Sequence, residues 1–329
     1  MKFLIAGFGS IGRRHFRNLL ALGERDIVLY RTGRSTLSDD ELRGFAVETD
    51  LAAALAHCPD GVIIANPTAL HLDVALPAAK AGCSILMEKP ISSDLKRVDE
   101  LSAALEAGGG KLLMGFQFRF HPGLKAVRRL LDEGVIGKVL SARAHWGEYL
   151  PGWHPWEDYR KSYSARSDLG GGVVLTLCHP LDYLRWMFGE IKKVSAVCGK
   201  ISDLEIDVED FAEINLEFEE KVRASVHLNY YQRPAAHYLE ILGTQGTIRW
   251  DNADGAVQYY LADMGKWQTI PAPDGFDRND LFLDETRHFL SVVRKESEPV
   301  CSLKDGIQDL KLVQAVYRAS RAHTKMEFN

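Results

Sequence analysis

The chain has 329 residues, of which 46% are hydrophobic and 26% charged, and its formal net charge is −5. This length exceeds one comfortable core, so we expect two domains. The acidic balance, with no block of Lys or Arg, disfavours nucleic acid as a partner. No apolar run approaches the ~18 residues of a membrane span, and the N-terminus reads as a strand rather than a signal peptide. We expect a cytoplasmic protein without a membrane partner.

The five cysteines are scattered along the chain and none has CxxC spacing. Neither a disulfide framework nor a cysteine-rich metal site is indicated by this pattern. We expect no bound metal.

The N-terminal segment has the pattern of a strand, a glycine turn and a helix. An apolar run at 3–6 leads into Gly7-Phe-Gly9-Ser-Ile-Gly12, and an amphipathic stretch follows until Gly23. The first glycine permits the tight turn, the second admits a pyrophosphate, and the third lets the helix pack on the strand. The helix start offers free N–H groups and a positive dipole. The expected dinucleotide contacts are Gly7, Gly9, Ser10, Ile11 and Gly12.

The next predicted strand, residues 27–30, is followed by Arg31 where NAD enzymes usually carry an acidic residue. A carboxylate there would bond a ribose 2′-OH and repel a 2′-phosphate, whereas a guanidinium would clamp the phosphate. Arg31 and Arg34 therefore predict NADP(H). NAD(H) is the alternative if both are ordinary surface charges.

The rest of the first third alternates strands and helices, which is typical of a parallel sheet with helices on both faces. We therefore predict an α/β Rossmann domain with a doubly wound parallel sheet over residues 1–120. The predicted strands are 61–65, 84–87 and 111–115, and the predicted helices are 50–56, 69–81 and 92–106.

After residue 120 long alternating strands joined by short turns predict antiparallel pairing. We expect an α+β domain over 121–329 with a large, mostly antiparallel open sheet that can offer one face to a partner subunit. The predicted strands are 138–145, 194–200, 212–218, 222–230, 238–242, 247–250 and 257–261. Helices are predicted at 122–132, from the triplet Gly170–Gly172 to about Phe188, and at 281–295 and 303–320.

Two candidate groups for proton transfer stand out. Lys89 ends a predicted strand, where ligands bind in open α/β sheets, and a lysine there can share a proton with a substrate hydroxyl. Its alternative is a surface lysine. Thr176, His179 and Asp182 have i, i+3, i+6 spacing, which predicts one side of a helix. His179 can accept a hydroxyl proton because imidazole titrates near working pH, and its alternative is a buried structural histidine.

An aromatic and basic loop covers residues 146–166. The aromatic faces of Trp153 and Tyr159 suit a sugar ring, and the cations Arg160 and Arg166 suit a carboxylate or phosphate. The alternative is that these aromatic rings merely pack on the domain. We expect a sugar-type substrate that is acidic or nucleotide-activated.

Taken in order, the motifs of this chain resemble those of the Gfo/Idh/MocA oxidoreductases. They are Gly7-x-Gly9-x-x-Gly12, Asn66-Pro67-Thr68 with His71, Glu88-Lys89-Pro90, Gly115-Phe-Gln117-x-Arg119-Phe120, the glycine triplet with His179 and Asp182, and Gly243-Thr-Gln-Gly246-Thr247. The resemblance implies a Rossmann domain joined to an α+β domain. It also implies hydride transfer between a nicotinamide cofactor and a sugar, an inositol or a derivative.

The resemblance further implies roles for single residues. Lys89 would be the catalytic lysine, His179 its proton-transfer partner, and the bond before Pro90 cis. Residues implied at the cofactor are Asn66, Pro67, His71, Glu88, Lys89 and Gln117, and residues implied at the substrate are Lys89, Arg119, Thr176 and His179. The family also implies a homodimer or homotetramer through the C-terminal sheet.

Two sequence features bear on the substrate and on catalytic activity within this family. The stretch from Trp153 to Arg160 resembles members linked to surface-polysaccharide and nonulosonic acid biosynthesis. Thr176 stands where many members carry an aspartate, which leaves a dinucleotide-binding sensor without turnover as an alternative. A non-sugar substrate such as an imine or tetrapyrrole is the other alternative.

Overall fold

The computed structural model describes residues 1–33 and 40–322. The chain forms two compact units: 1–117 with 168–170 and 277–310, and 118–167 with 171–276 and the residues from 311 onward. None of the helices in the described ranges combines the length and the hydropathy that crossing a membrane requires.

The first unit contains a six-stranded sheet whose strands are all parallel. Its order is β3-β2-β1-β4-β5-β6, so the chain reverses direction across the sheet between β1 and β4. The carboxyl ends of parallel strands share one edge, and the reversal leaves a crevice there for a ligand. The strands are β1 (Lys2–Ala6), β2 (Asp26–Tyr30), β3 (Ala46–Glu48), β4 (Gly61–Ile64), β5 (Ser84–Glu88) and β6 (Leu112–Gly115).

The helices of this unit cover its sheet in pairs. They are α1 (Ser10–Ala21), α2 (Leu51–Ala56), α3 (His71–Lys80), α4 (Val98–Gly108) and the later α8 (Arg278–Val293). α1 packs beside α8, and α3 packs beside α4. Apolar side chains of β1 such as Phe3, Leu4 and Ile5 are completely buried, as expected for a parallel sheet that is covered on both faces.

The second unit contains an eight-stranded sheet in the order β14-β13-β12-β11-β7-β10-β9-β8. All neighbours are antiparallel except β7 and β10, which pair in parallel. The strands are β7 (Val139–Tyr149), β8 (Ile191–Gly199), β9 (Phe211–Phe218), β10 (Arg223–Asn229), β11 (Tyr231–Gly243), β12 (Gly246–Asp251), β13 (Val257–Leu261) and β14 (Lys266–Ile270). The predicted fold class is therefore confirmed in both units.

The helix predicted to run from the glycine triplet to Phe188 is two helices. The helices of this part are α5 (Pro122–Asp132), α6 (Val173–Thr176), α7 (His179–Phe188) and α9 (Leu303–Ala322). Pro180 has no N–H to donate to the carbonyl of Thr176, so one continuous helix cannot close there. The prediction that Thr176, His179 and Asp182 lie along one side of a single helix is therefore wrong.

Candidate functional site

The glycine turn after β1 is shaped by contacts that exclude a side chain at two of its three glycines. Gly7 has a φ of +93°, and a Cβ there would lie 2.7 Å from the carbonyl oxygen of Ala65. A Cβ on Gly12 would lie 2.1 Å from the carbonyl oxygen of Gly7. Around Gly9 nothing in the described chain lies within 4 Å of an added Cβ. This open space is where a pyrophosphate can approach the backbone.

The start of α1 is suited to an anion. Gly9 is the N-cap and contributes no side-chain hydrogen bond to the helix. The first N–H groups of a helix have no intrahelical partners, and they carry the positive end of the helix dipole. Ser10 and Ile11 therefore present backbone donors at the turn, and the site fits the diphosphate of a dinucleotide.

Of the two arginines predicted at a 2′-phosphate, Arg31 lies within the described residues. Arg31 directly follows β2, is 9% exposed, and donates its backbone N–H to the carbonyl of Glu48 at 3.0 Å. Arg34 lies outside the described residues. Arg31 is thus held close to the strand end where the second ribose of a dinucleotide is recognised in this architecture.

Two buried amide oxygens follow strand ends on either side of β5 in the first unit. The Asn66 Oδ1 atom, just after β4, and the Gln117 Oε1 atom, just after β6, have no hydrogen-bond partner within residues 1–33 and 40–322. The Nδ2 atom of Asn66 donates to the carbonyl of Leu70 at 3.1 Å, which fixes the side chain. Buried acceptors are normally satisfied, so both fit the N–H groups of a ligand amide such as the carboxamide of nicotinamide.

The His71 side chain connects the loop after β4 to the loop after β5. Its Nδ1 lies 2.9 Å from the carbonyl of Pro90, and its Nε2 lies 3.0 Å from the carbonyl of Asn66. The side chain is 1% exposed, and burial lowers the pKa of the ring. Both ring nitrogens already face backbone groups, which favours a positioning role over direct contact with a cofactor. Pro67 lies in the loop after β4, which the contact between His71 and Asn66 holds in place.

Lys89 stands at the carboxyl end of β5, where it is half-buried, and its bond to Pro90 is cis as the resemblance implies. The preceding Glu88, expected at the cofactor, contacts the Nε2 atom of His15 with its Oε1 atom at 2.9 Å. Lys89 is thus the side chain of this motif that remains closest to solvent at the strand end.

His179 begins α7 in the second unit and is 1% exposed. Its ring centroid lies 5.0 Å from that of Phe118 and 5.5 Å from that of Trp146, so aromatic side chains surround it. Thr176 lies one short turn earlier and forms a side-chain hydrogen bond with Tyr230. Lys89 belongs to the first unit and His179 to the second.

Arg119, predicted at the substrate, forms a buried ion pair. Its Nε atom lies 3.0 Å and its Nη2 atom 2.6 Å from Oδ1 of Asp182, and the two side chains are 5% and 0% exposed. Because Asp182 is engaged in this pair, it anchors α7 to the segment around Arg119. The pair fixes the position of the Arg119 guanidinium, and its contact with a substrate stays a prediction.

The aromatic loop divides into packed and accessible parts. Trp146 lies on β7 and stacks on His237 with centroids 4.2 Å apart, so it belongs to the core. Tyr159 accepts a hydrogen bond from the backbone N–H of Glu205 at 3.1 Å. The Nε1 atom of Trp153 is buried and has no acceptor in the described part of the chain, so it is a donor suited to a ligand.

Arg160 and Arg166 line one cavity of about 510 Å³ in the second unit, together with two lysines, two acidic residues and two apolar residues. Arg160 is already held by Asp158 at 2.8 Å and by Glu205 at 2.9 Å, and these carboxylates raise the pKa of the Arg160 guanidinium. The remaining lining residues are Lys161, Ala165, Lys200, Ile206 and Asp207. The cavity keeps an excess of cations over carboxylates, which suits an anionic ligand.

Sequence reasoning missed two residues beside the Lys89 motif, His15 on α1 and Glu285 on α8. Both are completely buried. A signal for Glu285 was present, because it shares the helical spacing of the apolar residues Leu281, Phe282 and Phe289. A charged residue on an apolar stripe is informative because burial of an unpaired charge is costly.

Two models of one family match the chain. The model described as "Oxidoreductase family, NAD-binding Rossmann fold" covers residues 1–116, and the one described as "GFO/IDH/MocA C-terminal domain" covers residues 124–249. Together they span most of both units.

Individual proteins are similar over most of their length. D-apiose dehydrogenase of Paraburkholderia graminis is 26% identical over 99% of this chain and 89% of its own length. D-xylose 1-dehydrogenase [NADP(+)] of Haloarcula marismortui is 24% identical over 82% of this chain and 75% of its own. The WlbA dehydrogenase of Bordetella pertussis, solved with NADH and UDP-GlcNAcA, has a TM-score of 0.81 at 20% identity, covering 98% of this chain and 97% of that one.

Proposed function

We propose, from the premise that this chain belongs to the GFO/IDH/MocA family of oxidoreductases, that it is a dehydrogenase acting on a CH–OH group of a sugar derivative. The observation that carries the proposal is the edge of the parallel sheet. There an open glycine turn, two unpartnered amide oxygens and Lys89 follow neighbouring strands. The sugar dehydrogenases among the similar proteins support the substrate class.

The chain's own groups would hold a nicotinamide cofactor, which when bound accepts or supplies the hydride. The backbone N–H groups of Ser10 and Ile11 would bind its diphosphate. The orphan oxygens of Asn66 and Gln117 would accept the N–H groups of its carboxamide, which fixes the face of the ring.

The substrate hydroxyl must lose its proton as hydride leaves the same carbon. Lys89 would share that proton, since an amine at the strand end can donate a hydrogen bond to the developing oxygen charge. His179 would accept the proton. The buried Arg119–Asp182 pair would hold α7, and hence His179, in position.

The proposal is tested by the Lys89→Met variant, with Lys80→Met as the matched control because Lys80 is exposed at the end of α3. Loss of a positioned acid–base group should lower kcat by roughly 100-fold or more while cofactor affinity is retained. The measurement is initial rates on a panel of neutral and acidic sugars, with cofactor binding followed by fluorescence. A wild-type protein that binds cofactor but turns over no sugar would support the alternative of a dinucleotide-binding sensor.

For the cofactor we propose NADP(H), bound through Arg31 and Arg34. The NADP(+)-linked xylose dehydrogenase is consistent with this choice, whereas WlbA was solved with NADH. Arg31→Ala should weaken NADPH binding by roughly 1–3 kcal/mol and leave NADH binding unchanged, since the lost contact is charge-assisted. Arg43→Ala is the control, because Arg43 is an exposed residue paired with Asp40. A wild-type preference for NADH in fluorescence titration would refute the choice.

We also propose a division of labour, with residues 1–120 binding cofactor and 121–329 binding substrate and a partner copy. Buried residues alternate with more accessible ones along β9 and β10, so one face of the eight-stranded sheet suits contact with a partner copy in a homodimer or homotetramer. The mass in solution, measured by light scattering, distinguishes these states from a monomer.

A further inference from the structure

Three buried acid–base side chains meet in the first unit beside Lys89. They are His15 on α1, Glu88 on β5 and Glu285 on α8, and their nitrogen and oxygen atoms lie within 4.8 Å of one another. His15 and Glu285 are 0% exposed, and Glu88 is 8% exposed. The number of ionised side chains in such a cluster is limited, because burial of an unpaired charge is costly.

Glu88 is the member of this group that carries a charge. Its Oε1 atom lies 2.9 Å from Nε2 of His15, and an ionised carboxylate has only acceptors, so His15 donates. Burial alone would raise the pKa of Glu88, but the hydrogen bond from His15 and the charges of His15, Lys89 and His71 lower it. Gly115 on β6 makes room, since a Cβ there would lie 3.1 Å from Glu88 Cα.

Glu285 is in the opposite situation. Neither of its oxygens accepts a hydrogen bond in the described ranges 1–33 and 40–322. It shares its helix face with the buried Leu281, Phe282 and Phe289. Ionisation would place a second buried negative charge within 4.8 Å of the Glu88 carboxylate, with no hydrogen bond donated to it in the described chain. Burial, together with the negative charge of Glu88, raises the pKa of Glu285 well above its ordinary value.

We propose that Glu285 is an un-ionised positioning residue, whose proton is shared with the Glu88 carboxylate and so fixes the strand end that carries Lys89. Glu88 is then held from two sides, by His15 on the helix that starts at the dinucleotide turn and by Glu285 on α8. The predicted effect on turnover rests on the proposed function, whereas the predicted protonation state of Glu285 is independent of it.

The other charged groups near the trio leave Glu285 without a counter-ion. Arg14, also on α1, lies with its guanidinium 4.6 Å from the ring centroid of Phe282 and donates to Asn279 at 3.1 Å. Lys89 follows β5, and His71, on α3, is bound to backbone carbonyls. Arg14 and Lys89 act on Glu88 as cations, and none of these three groups donates to Glu285 in the described chain.

A divalent metal is the other occupant that such a trio suggests. Structural zinc sites use four protein ligands, whereas this cluster offers three, and one pair is already joined by a hydrogen bond. The observations therefore favour a proton over a metal, and metal content becomes an outcome of the test.

The test compares the wild type with Glu285→Gln, Glu285→Leu and the control Asp284→Asn on the purified full-length protein. Asp284 is the neighbouring acid on α8 and forms a surface ion pair with Arg287. At neutral pH the infrared difference spectrum between the wild type and Glu285→Gln should contain the carbonyl band of one un-ionised carboxyl group, and the spectrum between the wild type and Asp284→Asn should not. Absence of that band from the Glu285→Gln difference spectrum, or one equivalent of metal by elemental analysis, would overturn the proposal.

Turnover gives the second readout. Glutamine keeps a donor, so Glu285→Gln should retain kcat, whereas leucine fills the space without a donor and should lower kcat roughly 10- to 100-fold through misplacement of Lys89. In the wild type kcat should fall at alkaline pH, when Glu285 ionises beside Glu88, and this fall should be absent in Glu285→Gln. An unchanged kcat in Glu285→Leu would refute the positioning role. Loss of all turnover in the wild type, with the infrared band intact, would refute the proposed function alone.

Discussion

The two units of this molecule bury carboxyl groups in opposite ways. Glu285 in the first unit and Asp182 in the second are both 0% exposed. Asp182 accepts from the guanidinium of Arg119, whereas neither oxygen of Glu285 has a partner in the described chain. The difference teaches that burial alone does not determine charge. Hydrogen bonds from a guanidinium favour the ionised form of a buried acid, whereas burial without a donor favours the protonated form.

The largest effect should follow from breaking the ion pair. Asp182→Asn leaves the buried guanidinium of Arg119 without its carboxylate, which we expect to lower the free energy of unfolding by about 3–5 kcal/mol. Urea denaturation measures the loss. Replacing both partners together, as Arg119→Met with Asp182→Leu, should recover much of it, because a buried pair is often no better than apolar residues of similar volume. A loss below about 1 kcal/mol in Asp182→Asn would show that the pair is not buried as described.

An intermediate effect should come from His121, a buried base in the second unit that avoids charge by losing its proton. Its Nδ1 accepts the N–H of Gly123 at 3.0 Å at the start of α5. Burial, assisted by the charge of Lys125, lowers the pKa of His121 from 6.5 to about 4. Below pH 6.5 His121 is therefore protonated in the unfolded chain but not in the folded chain. The free energy of unfolding consequently falls as the pH drops from 6.5 toward 4.

That pH window can be measured by thermal or urea unfolding. At about 1.4 kcal/mol per unit of pKa, His121 should account for on the order of 3 kcal/mol of the acid loss. His121→Asn keeps an acceptor at the helix start and does not titrate, so its stability should depend less steeply on pH. His57→Asn, at a half-buried position of the first unit where His57 contacts Glu48, is the control. An equal slope in wild type and His121→Asn would contradict the assignment.

The smallest change in stability should come from the exposed charges of the cavity in the second unit. Arg160→Ala and Arg166→Ala should leave the unfolding midpoint nearly unchanged, because exposed ion pairs contribute little. If the cavity binds an acidic or nucleotide-activated sugar, both variants should raise KM for that substrate and leave kcat unaltered. Steady-state kinetics on matched neutral and acidic sugars decides, and an unchanged KM for every accepted substrate would remove the charged-substrate proposal.

Local sequence patterns were enough to predict those helices and strands whose defining residues are close together in the chain. The strand, glycine turn and helix at 2–21 follow from an apolar run and glycine spacing, and α5 begins at Pro122 and ends at Asp132 as predicted. The short edge strands β3 and β14 were not predicted. Edge strands carry little apolar pattern, since much of their surface stays exposed.

The sequence by itself determined the two fold classes, the dinucleotide turn and the position of Lys89 at a strand end, because these depend on neighbours in the chain. Tertiary structure alone decided which charges are paired. Arg119 and Asp182 are 63 residues apart, and His15 and Glu88 are 73 apart. No local pattern fixes such distances, because partners and burial arise only when separate elements pack together.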